Sequence, residues 1–195
     1  RRKNPNDPEV LRVLAKGLAY LGTNLSWNNQ QAEAEVEMAR AITIAESLVA
    51  ANPTDVNVRQ RLWGHYYLAS NIYAYVDFPR AFKLAEKALK VVVETIALDK
   101  ANVQARTNQA KTLSNLGMTS SQMGKSNEAL IYLERSARVW IELLENDPRN
   151  TTYNRNLAVS YQNIGEAKHK RRDLPGALGE FEKAAAIYEK LYAAD

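Results

Sequence analysis

The chain has 195 residues, 46% of them hydrophobic and 25% charged, which suits one compact folded domain or a short repeat array. It has no Cys, which excludes disulfides, thiolate metal sites and a cysteine nucleophile. The net charge of +4 arises from 26 basic residues interspersed with 22 acidic ones. That is not the basic stripe of a nucleic-acid-binding face, and no apolar run reaches the roughly 18 residues needed to span a bilayer.

From the N terminus, Arg1-Arg2-Lys3 without a Met reads as the edge of a fragment of a longer protein, expected to be cytoplasmic. Asp7-Pro8 opens a helix over about residues 8–26. The turn Trp27-Asn28-Asn29-Gln30 leads to a second helix over 31–51. Asn52-Pro53 then breaks the chain, because proline disfavours the α conformation in the residue before it and is well tolerated in the first turn of the next helix. Helices are predicted over 55–75 and 79–98, separated by Asp77-Phe78-Pro79. The run from Ala88 to Leu98 is broken by Lys90 and Glu94. After Asp99-Lys100 come helices over 101–123 and 127–146 around Gly124-Lys125-Ser126, and after Asp147-Pro148 helices over 149–171 and 175–193 around Asp173-Leu174-Pro175. Asp77 and Asp173 are in register, each placed to cap the helix that follows. The basic run Lys168-His169-Lys170-Arg171-Arg172 falls at a predicted helix C terminus, where the macrodipole favours cations.

These elements repeat every 47 or 48 residues. Gly22, Ala69, Gly117 and Gly165 share a column, preceded by Leu21, Leu68, Leu116 and Ile164. Ala34, Ala81, Ala129 and Ala177 form a second column, and Ala41, Ala88, Ser136 and Ala184 a third. Small residues on both helices of a hairpin let them approach closely, while large apolar residues fill the space beside them. Arg12, Arg59 and Arg155 form a fourth column, with Thr107 as the exception. Such a ladder serves either to receive an acidic or phosphorylated segment or, more often, to pair with carboxylates of neighbouring repeats. The expected organisation is one array over 1–195, with repeats at about 8–52, 53–99, 100–147 and 148–195.

The small-residue and Ala columns, Phe181 and the Pro-marked junctions resemble the tetratricopeptide repeat over essentially the whole chain, most closely from Leu157 to Tyr188. The standard unit has about 34 residues, so the longer period implies about two more turns per helix. The aromatic expected early in the first helix is present only as Tyr161, with Leu18, His65 and Leu113 in its place. The long form resembles repeats of multidomain bacterial signalling proteins, including regions attached to serine/threonine kinases. The resemblance implies an all-α, right-handed superhelical solenoid of four antiparallel helix hairpins, with the first helix of each lining a concave face.

On that face the expected contact residues are Lys16 and Tyr20 in repeat one, Trp63 and Tyr67 with neighbouring Tyr66 in repeat two, Asn108, Lys111 and Asn115 in repeat three, and Asn156 and Asn163 in repeat four. Thr23, Trp27, Gln60, Ser70, Met118, Val159 and Glu166 complete the stripe. Asn can both donate to and accept from an extended peptide backbone, and aromatics are favoured anchors in protein recognition. The competing role is structural, with Asn tying helices together and Tyr packing between repeats. Lys16, Lys111 and Asn115 bear a partial likeness to the Lys/Asn clamp by which some tetratricopeptide domains hold a terminal carboxylate, but Val159 stands in the Lys111 column.

Catalysis finds little support: the two histidines, His65 and His169, are 104 residues apart, and no metalloprotease, phosphate-loop or nucleophile-elbow motif occurs. His65 sits in a core column, and Glu33, Glu35 and Glu37 point to different helix faces. No cofactor, metal, nucleic-acid or membrane-inserted role is expected. The function read from the sequence is a non-catalytic scaffold for a protein or peptide. The alternatives are a self-associating module, homodimeric through an uncapped terminal repeat (Ile187, Tyr188, Leu191, Tyr192), and the sensor region of a signalling enzyme such as a serine/threonine kinase.

Overall fold

The computed structural model describes residues 7–193, and among these all regular structure is α-helical. The helices are α1 (Pro8–Trp27), α2 (Gln31–Ala51), α3 (Val56–Tyr73), α4 (Phe78–Leu98), α5 (Val103–Gln122), α6 (Ser126–Asn146), α7 (Thr151–Lys170) and α8 (Leu174–Tyr192). They pair as four antiparallel hairpins within two compact units, Arg1–Lys100 and Ala101–Asp195. In the first unit α1 packs on α2, α2 on α3 and α3 on α4, and α1 also meets α3. In the second, α5, α6, α7 and α8 pack successively, and α5 also meets α7.

Six of the eight described helices start where a side chain accepts from a free backbone N–H group. Asp7, Asp77 and Asp173 accept from the backbone N–H groups of Glu9, Arg80 and Gly176, each before a helix with proline in its first turn. α3 and α7 begin one and two residues later than the predicted starts at about 55 and 149. Pro53 and Pro148 lie outside the helices, which begin at Val56 and Thr151 under the caps Asp55 and Asn150. Asp55 accepts from the N–H groups of Asn57 and Val58, and Asn150 from that of Tyr153. A cap offering a side-chain oxygen thus sets the boundary here, and the proline shapes the loop before it. Three hairpin turns pass through left-handed backbone, at Asn29 (φ 58°), Gly124 (φ 76°) and Arg172 (φ 64°), the conformation that commonly ends a helix.

The small-residue columns form the tightest part of each hairpin. Ala34, Ala41, Ala81, Ala88, Ala129 and Ser136 have no exposed surface, and Ala177 and Ala184 are buried. A methyl group on Gly117 would fall 2.5 Å from Leu133 Cγ and 3.1 Å from the Ala129 carbonyl, so this crossing requires glycine. Buried hydroxyls fasten two hairpins: Ser70 donates to the Ala81 carbonyl and Ser136 to the Ala110 carbonyl, each at 2.8 Å. In the first unit Leu18, Met38 and Ala69 form one apolar cluster, and Leu62, Tyr66 and Val91 another. In the second, Trp140 is fully buried, with its ring 5.7 Å from that of Tyr153, which ties α6 to α7.

Candidate functional site

In the first unit, α1 and α3 lie side by side with a cleft of about 200 Å³ between them. Arg12, Lys16 and Tyr20 follow at four-residue steps on one face of α1, joined by Ala19. Across from them α3 presents Arg61 and His65, four residues apart, and Gly64 and Leu68, likewise four apart. None of the eight lining residues is acidic. The Lys16 ammonium lies 5.6 Å from the Tyr20 ring centre, within cation–π range. Arg12 Nη2 is 3.8 Å from Asp55 Oδ2, a loose and partly exposed contact, and Arg12 Nε is buried with no hydrogen-bond partner. His65 is buried and its Nδ1 likewise has no partner. Burial, and secondarily the charge of Arg61, hold its imidazole below the ordinary value of 6.5. Gly64 faces open space: a Cβ there would meet nothing within 4 Å. The structure therefore brings the predicted Lys16 and Tyr20 together with three residues not singled out as contacts, Arg61, Gly64 and His65. The same-face spacings of Arg12 with Lys16 and of Arg61 with His65 are the sequence signal that marks them.

The aromatic group on α3 divides in two. Trp63 and Tyr67 stack, with centroids 5.1 Å apart and planes at 22°, and both are half-buried. Burial raises the Tyr67 phenol, against a hydrogen bond with Asn71 that lowers it. Tyr66 is instead part of the core, only 5% exposed, with its hydroxyl donating to the Glu46 carboxylate. Ser70 is wholly buried in its bond to α4. The Arg column is structural at Arg59, whose Nη1 lies 2.6 Å from Glu94 Oε2 of the same hairpin while Nε donates to the Pro53 carbonyl.

In the second unit the asparagines are engaged within the fold. Asn108 is 1% exposed, and its Oδ1 accepts from Gln104 Nε2 at 2.9 Å. Asn115 is buried, with Oδ1 3.4 Å from the Thr119 hydroxyl. Asn156 donates to the Thr152 carbonyl, and Asn163 reaches Ser114 at 3.5 Å, linking α7 to α5. Lys111, Asn156 and Asn163 keep part of their surface open, beside exposed Met118 and Val159. Burial of Asn108 and Asn115 removes them from the accessible face expected for them. Their polar groups instead serve side-chain bonds one helical turn away, at Gln104 and Thr119.

Among the described residues no cluster of three or more His, Asp or Glu has the geometry to hold a metal, and no helix is long and apolar enough to cross a membrane.

The fold and the sequence columns find their counterpart in known proteins. The tetratricopeptide repeat family model matches residues 109–150 and 157–195. The matched stretches fall within the third and fourth hairpins, and a likeness to repeats of this kind supports, in general terms, a protein-interaction scaffold. Three solved structures share the architecture. The MamA RS-1 ArsTM double mutant has TM-score 0.50 and 18% identity, over 97% of this chain and 80% of that one. The DHF58 filament has TM-score 0.55 and 14% identity, over 95% and 96%. The de novo designed helical repeat protein DHR64 has TM-score 0.50 and 16% identity, over 94% of each. No curated protein matches the sequence.

Proposed function

We propose that the chain is a non-catalytic scaffold that holds an extended segment of a partner protein against the first helices of its hairpins. The observation that carries this reading is the α1–α3 cleft. There Lys16 and Tyr20 converge with Arg12, Arg61 and His65 around open space that Gly64 leaves unfilled. A concave site with an aromatic wall and a few convergent polar groups is the usual form of a binding pocket. The stacked Trp63–Tyr67 pair offers an anchor on α3, and the part-exposed Lys111, Asn156 and Asn163 offer polar contacts in the second unit.

The test is the affinity of a partner captured by the wild-type chain. The double variants Lys16→Ala/Tyr20→Ala and Trp63→Ala/Tyr67→Ala are expected to weaken it at least about tenfold, as loss of interface anchors does. Thr43→Ala on α2 and Arg135→Ala on α6, both exposed on second helices, should leave it unchanged. Equal affinity across the whole set removes the first-helix face as the site.

Self-association is the second reading, favoured by the exposed Leu174, Leu178, Phe181 and Tyr192 on α8. It predicts a mass that rises with concentration in sedimentation, and a mass constant on dilution excludes it.

A further inference from the structure

We infer that the cleft between α1 and α3 is a receptor for the carboxylate side chain of an acidic segment of the bound protein. This rests on the scaffold reading and specifies the chemistry of its ligand. Three observations carry it. First, Arg12, Lys16 and Arg61 gather around one concavity whose lining contains no acid, and the carboxylate of Asp55 stands 3.8 Å from Arg12. Like charges collected around one concavity repel one another until an anion enters, and their field concentrates there. Second, His65 lines the same cleft, is more than nine-tenths buried and leaves Nδ1 without a partner, as Arg12 does with Nε. Unsatisfied buried polar atoms cost stability, and an entering acceptor supplies what the fold does not. Third, Gly64 sits mid-helix, where glycine is less favourable than alanine, although nothing lies within 4 Å of where its Cβ would be. Packing does not require this glycine, and its effect is to keep the cleft open. Ala19, Leu68 and the Tyr20 ring complete an apolar wall against which the methylenes of a glutamate side chain can lie.

The chain contains its own internal control. Its second histidine, His169, lies within the basic run Lys168–Arg172 on an exposed helix end, so nonspecific attraction of a polyanion acts there at least as strongly. The experiment follows both imidazole rings by NMR while N-acetyl tetraglutamate amide is added to the whole chain at low ionic strength. Tetraglutamate is expected to shift the His65 resonances saturably and those of His169 far less, and the neutral tetraglutamine analogue to shift neither. Arg61→Gln and Lys16→Gln should each weaken the response about threefold or more. Gly64→Leu, which enters open space, should abolish it without loss of helix content.

Equal shifts at the two histidines, an equal response to tetraglutamine, or no response at His65 overturns the proposal. So does inorganic phosphate matching tetraglutamate, because the cleft would then hold any oxyanion. If tetraglutamate fails while Lys16→Ala/Tyr20→Ala still weakens partner binding, the acidic specificity is wrong and the scaffold reading stands. If that variant is silent too, both fail.

Discussion

Glycine-to-alanine substitution at three positions of these helices should give three different outcomes, each set by what the added methyl meets. The substitution by itself favours the helix by about 0.5–1 kcal/mol. At Gly64 nothing lies within 4 Å of the new Cβ, so the full gain should appear. At Gly117 the methyl falls 2.5 Å from Leu133 Cγ and 2.7 Å from its Cδ2, and Leu133 is itself buried and cannot swing aside. Overpacking of this kind costs about 1–3 kcal/mol, which at its midpoint exceeds the helix gain and leaves a net loss of up to about 2.5 kcal/mol. At Gly165 the methyl meets the Phe181 ring at 2.6 Å, but that ring is 38% exposed and can move outward, so gain and cost should nearly cancel. Thermal unfolding followed by circular dichroism should show a rise for Gly64→Ala, a fall of several degrees for Gly117→Ala and little change for Gly165→Ala. At this chain length 1 kcal/mol corresponds to about 2–4 °C. Gly117→Ala matching Gly64→Ala in stability would refute the close α5–α6 approach on which the hairpin account depends.

His65 is held below 6.5 by burial and by Arg61, so protonation favours the unfolded chain. Stability of the first unit should therefore decline as pH falls from about 6.5 toward the lower folded value, and His65→Leu, which copies Leu113 in the same column, should flatten that decline in acid denaturation scans. Burial alone would raise the Glu180 carboxyl, but bonds and charges from Lys168 at 2.7 Å and Lys183 at 3.1 Å outweigh it and hold the group below 4.5. That stabilisation is complete above 4.5 and lost as pH falls through the folded value, and Lys168→Gln should reduce this low-pH loss. Ser120 Oγ is buried with no partner, so Ser120→Ala should raise stability by about 1 kcal/mol in urea unfolding, as removal of an unsatisfied buried hydroxyl does. Arg172→Gly should also stabilise, by about 0.5–1 kcal/mol, because the site has φ 64°.

The hairpins were legible in the sequence because their geometry tolerates so few side chains. Closely crossing helices need small residues, and the Ala34, Ala81, Ala129, Ala177 column records that need at every repeat. The caps Asp77 and Asp173 were legible for a similar reason, since a short acceptor before a first-turn proline has one main use. The site was only partly legible. Lys16 and Tyr20 line the α1–α3 cleft, but Tyr66, Ser70, Asn108 and Asn115 face inward. Polar character suggests exposure, yet Ser70 and Asn108 satisfy their groups within the fold, through the Ala81 carbonyl and Gln104. Which side of a long helix is covered depends on the angle at which its neighbour crosses, and a one-dimensional stripe does not contain that angle. His65 shows the same limit from the other direction: its core column was apparent, but its place on the cleft required α1 beside α3.

The most direct test of a scaffold that binds along its first helices is site-specific photo-crosslinking with a partner present. A benzophenone amino acid placed at Tyr20, Trp63 and Asn163 samples the first-helix faces, and one at Thr43 and Arg135 samples the second-helix surfaces. The account predicts adducts to the partner from the first set and none from the second. Adducts equally abundant from Thr43 and Arg135, or found there alone, would contradict it.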